Sequence, residues 1–162
     1  MTLTQSKVAE FFDYKDGQLF WKISTGRVSA FSKAGTLGSH GYLQIRLMGK
    51  IYLAHRLIYL LINGQIPNQI DHIDGDKTNN KIDNLRLSSQ SENRMNSSRS
   101  SLNKIGIKGV CWSKSNKSWR VQIKKQRKNV YDGFFNDLEL AELVSIEARN
   151  KYHGLFARHD TQ

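Results

Sequence analysis

The sequence has little of what staples a small protein. One cysteine, Cys111, stands in 162 residues, which excludes a disulfide framework and any three- or four-cysteine structural zinc site. No run approaches the roughly eighteen apolar residues of a membrane span, which predicts a soluble chain with one ordinary core or two to three small ones. The start of the chain lacks a charged region followed by an apolar one, because Phe11-Phe12 is isolated among polar residues; the expectation is an intracellular, cytoplasmic protein. Acidic residues are also scarce. Fourteen Asp and Glu face 25 Lys and Arg, a net charge of +11, and such a balance favours polyanions, because each phosphate neutralised releases condensed counterions. Nucleic acid is the first partner this implies and a membrane surface the second. The excess is local: from Arg99 to Tyr131 there are ten Lys or Arg and no Asp or Glu. A solvated basic face with no partner is the plain alternative.

Hydrophobic periodicity and turn residues give the organisation. Short β-like runs at 18–22 and 42–47 lie among Gly17, Gly26, Gly35, Gly38 and Gly41, as expected of a small antiparallel platform. In the second run Leu43, Ile45 and Leu47 alternate with Gln44 and Arg46. Residues 54–62 read as a short helix ending at Asn63-Gly64, and Pro67, the single proline, follows that stop. A strand at 69–73, a second at 84–88 and a polar helix at 89–98 come next. Residues 97–103 are polar, small and aperiodic, and the domain boundary is expected within 99–104, between a domain at 1–98 and another at 105–162. Beyond it three strands, at 109–114, 119–124 and 129–134, precede a helix for which Asn136 and Glu139 fit a capping box. The fold class expected is α+β.

One stretch carries chemistry. Asp71-His72 is followed by the turn-rich segment Asp74-Gly75-Asp76-Lys77-Thr78-Asn79-Asn80, by Asn84 thirteen residues on and by Asn93 twenty-two residues on. His72 suits a general base near neutral pH. Asp71 supplies a hard anionic oxygen for Mg²⁺, or Mn²⁺, and Asn93 a neutral amide oxygen, with positions left for water and a phosphate. Adjacent strand residues point to opposite faces, so one site can use both Asp71 and His72 only if the strand end is twisted or bulged. Asn84 reads as a clamp on the loop behind His72 or as an ordinary turn asparagine. Arg56 and Arg86 are candidates to steady a phosphate, with a surface cation as the alternative, and His55 is a weak third. A calcium loop is rejected, because the glycine falls between two aspartates and no Glu occupies the twelfth position.

Ala54-His55-Arg56-Leu57, Asp71 to Asp76 with Asn79-Asn80, Asn84-Leu85-Arg86 and Glu92-Asn93 together resemble the His-Asn-His (HNH) endonucleases of the phage and homing type over about residues 42–98. The resemblance implies a ββα-metal motif in which Asp71 and Asn93 hold the metal, His72 activates water and Asn84 braces the loop. The last motif position is Asn93 in place of His, as in the homing branch.

Gly109 to Trp112, Trp119 to Ile123 and Tyr131 to Phe135, with Ala141 and its helix, resemble the DNA-binding domain of plant ethylene-response factors over about residues 105–158. That likeness implies a three-stranded sheet in the major groove. Its exposed face would carry Lys108, Arg120, Gln122, Lys124 and Tyr131, while Val110, Val121 and Ile123 pack on the helix. Cys111 and Ser113 stand where the plant domains have arginines, so their sequence preference does not transfer. Trp112 and Trp119 read as core residues, and Lys124, Lys125, Arg127 and Lys128 as a phosphate clamp. The function expected is a metal-dependent endonuclease acting on double-stranded DNA. The alternatives are a DNA-binding regulator that keeps the nuclease fold without cutting, and a protein acting on RNA.

Overall fold

A computed structural model describes residues 3–26, 28–100 and 102–159; Ser101, in the expected linker, lies outside the described residues. The architecture is mixed α+β, and the chain divides into two compact units, Met1–Ser89 and Gln90–Gln162.

The first unit opens with α1, Gln5–Phe11, whose N-cap Thr4 accepts a hydrogen bond from Lys7 N–H. It leads into a hairpin, β1 (Phe12–Lys15) and β2 (Gln18–Trp21), that buries Phe12, Leu19 and Trp21. Neither α1 nor β1 is expected from the sequence, because seven residues with a single buried side chain, Val8, carry too little periodicity to register. A sheet of order β3 (Thr36–Leu37), β4 (Leu43–Leu47), β5 (Lys50–Leu53) follows. In β4, Ile45 and Leu47 are buried while Arg46 between them is exposed, which is the alternation the sequence displays. Helix α2, Ala54–Asn63, buries Leu57, Ile58 and Leu60 against the same core and stops at Gly64, whose φ of 77° is the left-handed cap a glycine adopts without a Cβ clash. The unit closes with a two-stranded ribbon, β6 (Ile70–His72) and β7 (Leu85–Leu87), preceded on the β7 side by a 3₁₀ turn, Ile82–Asn84. Ile70 and Leu85 tie the ribbon to the core.

The second unit begins with α3, Gln90–Met95. Its sheet has the order β10 (Lys128–Phe135), β9 (Ser118–Lys125), β8 (Val110–Ser113), all antiparallel. Helix α4, Leu138–His153, packs on it, and Val110, Val121, Ile123, Ala141 and Ala148 form the buried cluster between them. The cap of α4 is Asp137, whose carboxylate accepts Leu140 N–H at 2.7 Å. This corrects the expected capping box at Asn136: the side chain one position later reaches the orphan amide, and its charge complements the helix N-terminus. Trp119 is partly buried against the cluster, as expected of a core residue, but Trp112 is exposed and meets Trp119 edge-on at 4.8 Å. Among the described residues no helix is long and apolar enough to cross a membrane.

Candidate active site

The ribbon of the first unit carries the strongest constellation. Its register is regular, Ile70 opposite Leu87, Asp71 opposite Arg86 and His72 opposite Leu85, so β6 has no bulge at the catalytic candidates. All three β6 residues are nevertheless buried. Asp71 faces Arg86 across the ribbon, and one carboxylate oxygen, Oδ2, accepts from both Nε at 2.9 Å and an Nη at 2.7 Å. The Arg86 guanidinium is thus engaged by the neighbouring carboxylate.

His72, 4 % exposed, lies in a small aromatic cluster. The His55 ring meets it edge-on at 5.0 Å and the Tyr42 ring stands 6.0 Å away; Tyr42 also packs on His55 at 5.3 Å. Burial, then the neighbouring His72 and Arg56, push the His55 imidazole down to about 3. His55 is therefore neutral at physiological pH and buried away from solvent. Arg56 is partly exposed and donates to Asn68 O at 3.3 Å.

The loop between β6 and the 3₁₀ turn is held by its own side chains. Asn84 Oδ1 accepts Asp74 N–H, and Asn84 Nδ2 donates to Asp74 Oδ1 and to Asn79 O. Asp74 Oδ2 accepts from Asn79 Nδ2, and Asp76 Oδ1 accepts Thr78 N–H and Oγ1–H. Burial raises the Asp74 carboxyl, but the bonds from Asn84, Asn79 and Asp76 N–H together outweigh it and hold the group below the usual carboxylate range. Thr78 does the same for Asp76. At the end of this loop Asn80, 1 % exposed, presents Oδ1 to His72 Nε2 at 2.9 Å. Asn80, Tyr42 and Lys77, whose ammonium lies 4.9 Å from the centre of the Tyr42 ring, are not legible in the sequence as site residues. Asn80 reads as one more turn asparagine, and Tyr42 as one residue of an alternating strand.

Asn93 belongs to α3 of the second unit, with Arg94 exposed beside it. A cleft of about 640 Å³ within this unit is lined by Arg94, Lys108, Lys124, Gln126, Arg127 and His153, among others. Lys124, Lys125, Arg127 and Lys128 are all exposed around the β9–β10 turn. The rest of the expected DNA-facing set is differently employed. Lys108 donates to Met95 O and Ser97 O. Arg120 forms a two-point pair with Asp132, and Gln122 donates to the same carboxylate at 3.3 Å. Tyr131 packs against the buried cluster, because a register shift between Asn129 and Tyr131 reverses the alternation that the sequence implies.

Among the described residues no three His, Cys, Asp or Glu side chains gather into a metal-binding group. The available donor set is one buried carboxylate with amide oxygens, without a thiolate, since Cys111 is exposed in the second unit. This chemistry fits a hard, partly hydrated divalent ion that relies on substrate phosphate for further oxygens.

A buried Asp-His pair thus lies on a two-stranded ribbon, backed by an asparagine-laced loop, in a small α+β protein. The family model for HNH endonucleases matches residues 52–95, which span α2, the ribbon and α3. Protein 3.8 of Escherichia phage T7 is 37% identical over 108 residues, covering 64% of this chain and 87% of that protein. An uncharacterized HNH endonuclease, L560, of Acanthamoeba polyphaga mimivirus is 47% identical over 77 residues, 46% of this chain and 40% of that protein. No solved structure gives a significant match. Residues 52–95 thus carry an HNH endonuclease domain.

Proposed function

We propose that the protein is a metal-dependent endonuclease that hydrolyses phosphodiester bonds of double-stranded DNA. The observation that carries this reading is the adjacency of buried Asp71 and His72 on β6, inside the segment matched by the family model. His72 takes the proton of the attacking water as general base. Asp71, fixed in orientation by the Arg86 pair, would hold a divalent ion, Mg²⁺ or Mn²⁺, and the resemblance to the HNH motif implies Asn93 as its second ligand. Bound there, such an ion supplies Lewis-acid stabilisation of the phosphoryl charge and of the leaving 3′ oxygen. With no bulge in β6, one phosphate can be served by both side chains only through the twist of the two-stranded ribbon. Asn84 braces the loop, and its three hydrogen bonds to Asp74 and Asn79 support that role.

The second unit, by this reading, binds duplex DNA. Its exposed Lys124, Lys125, Arg127 and Lys128 contact phosphates and give affinity and orientation. Base contacts by Arg120 would require it to leave or share Asp132.

Supercoiled plasmid incubated in Mg²⁺ and in EDTA, with wild type and Asp71→Asn, tests the proposal. Nicked or linear product confined to wild type in Mg²⁺ is expected; equal cutting by Asp71→Asn would remove Asp71 from the reaction, and no cutting by wild type across divalent metals with DNA still bound would favour the regulator. Competition with single-stranded DNA and RNA fixes the substrate class.

A further inference from the structure

We infer that Phe31 is a wedge that enters a base step of bound duplex DNA, raised by a bulge on the rim of a polar cleft that takes the flanking sugar-phosphate backbone; this rests on duplex DNA being the substrate. Beyond β2 the chain returns along Trp21 with two residues set against one: Phe31 N–H donates to Trp21 O at 2.6 Å and Trp21 N–H to Ser32 O at 3.0 Å. Phe31 holds the first bulge position with φ of 63°, the left-handed backbone that glycine normally supplies there. A bulky residue is an outlier in that conformation. Its side chain is 81% exposed, so packing does not offset the strain. Neither the local backbone nor the core favours a phenylalanine here, and strain of this kind persists where a site uses it.

The loop that carries the ring is tied down by its own bonds. Ser24 Oγ accepts Ala30 N–H at 3.1 Å, Ser32 Oγ–H donates to Ser29 O at 2.6 Å, and Thr25 and Val28 exchange two backbone bonds at 3.0 Å. Ser29 and Ser32, on either side of Phe31 in sequence, line a cleft of about 450 Å³ with Lys33, Thr36, Gln44 and Arg46. Among the described residues no carboxylate lines it, and from Gly17 to Ile70 the sequence has six Lys or Arg and no Asp or Glu. Hydroxyls, an amide and two cations are the groups that bind phosphate and sugar. An apolar side chain raised beside such contacts is what unstacks a step and bends a duplex. A lipid surface would instead call for an apolar face in place of one ring beside a polar cleft.

Metal-free protein mixed with short duplexes of mixed sequence, carrying 2-aminopurine at successive steps, tests this. Affinity and fluorescence are read for wild type, Phe31→Gly and Phe31→Leu, with urea unfolding alongside. Phe31→Gly relieves the backbone, so its unfolding midpoint should equal or exceed that of wild type, while duplex affinity falls about 10-fold and the fluorescence rise of unstacking is lost. Phe31→Leu keeps an apolar wedge and should retain part of both. A Phe31→Gly protein that binds and unstacks as wild type does, or a wild type that binds with no unstacking at any step, overturns the inference. A Phe31→Gly midpoint well below wild type overturns it too, by making the ring a packing residue. Binding to anionic vesicles that needs Phe31, with duplex binding that does not, assigns the ring to a membrane instead. No cleavage enters these readouts. A wild type that unstacks DNA through Phe31 and never nicks plasmid in Mg²⁺ defeats the nuclease reading alone, and nicking with duplex binding indifferent to Phe31 defeats the wedge alone.

Discussion

His55 has a folded pKa of about 3 against 6.5 as its ordinary value, so between those values the unfolded chain binds more protons than the folded one. The stability this group contributes is complete above pH 6.5 and is lost as pH falls toward 3, at roughly 1.4 kcal/mol per pH unit. Asp74 and Asp76, both depressed, add a further loss on acidification below the carboxylate range. His55→Phe keeps a ring between Tyr42 and His72 and removes the titration. Urea unfolding at about pH 7 and about pH 5 should show wild type losing roughly 2 kcal/mol more than the variant between them, and parallel losses would contradict the burial argument. Asp71 and Arg86 form the other pair whose environment matters, with side chains only 10% and 17% exposed. Arg86→Leu removes the guanidinium partner of a buried carboxylate and should cost roughly 3–5 kcal/mol. Measured beside Asp71→Asn and the double variant, the loss should be strongly non-additive.

Three two-residue turns join the hairpins with both central residues at positive φ: Asp16-Gly17, Met48-Gly49 and Gln126-Arg127. This is the turn whose twist matches paired strands, and it favours Asn-Gly. At Gly17 the glycine meets a steric demand as well, because φ is +82° and backbone lies where a Cβ would go. Gly17→Ala should destabilise by about 1–2 kcal/mol from conformation alone and should slow nicking beyond what the loss of folded protein explains, as the displaced turn presses on Asn80. The third turn has no glycine. Two L-residues sit in left-handed backbone at the tip of the most basic hairpin, a strain that suits a turn kept for its charges. Replacing Gln126 and Arg127 by Asn and Gly should raise the unfolding midpoint while weakening binding to duplex DNA; a gain in both would show that the basic turn contributes nothing to the substrate.

Across the whole molecule the net charge of +11 is the long-range property to test. Arg94→Ala, Lys124→Ala and Arg127→Ala combined should lower affinity for any duplex sequence and flatten the dependence of log K on log salt by roughly 0.9 for each phosphate no longer neutralised. What the sequence disclosed and withheld follows from range. Asp71, His72, Asn84 and Asn93 stand out because unusual residue types recur at fixed spacing, and the strands of the second unit because Val121 and Ile123 alternate with polar neighbours. The loop clamp at Asn84 is legible because its partners are within ten residues in sequence. Pairings made across the fold are hidden. Nothing local announces that Arg86 is opposite Asp71, that Tyr14 reaches Ile82, that a register shift turns Tyr131 inward, or that His55 is buried beside His72. The proposed reaction turns on His72 as the general base. Single-turnover nicking of supercoiled plasmid by wild type and His72→Ala, at saturating Mg²⁺ with DNA binding measured in parallel, tests it most directly. The expected rate is about 10²- to 10⁴-fold lower with binding unchanged; a His72→Ala protein that nicks at the wild-type rate contradicts the general-base role.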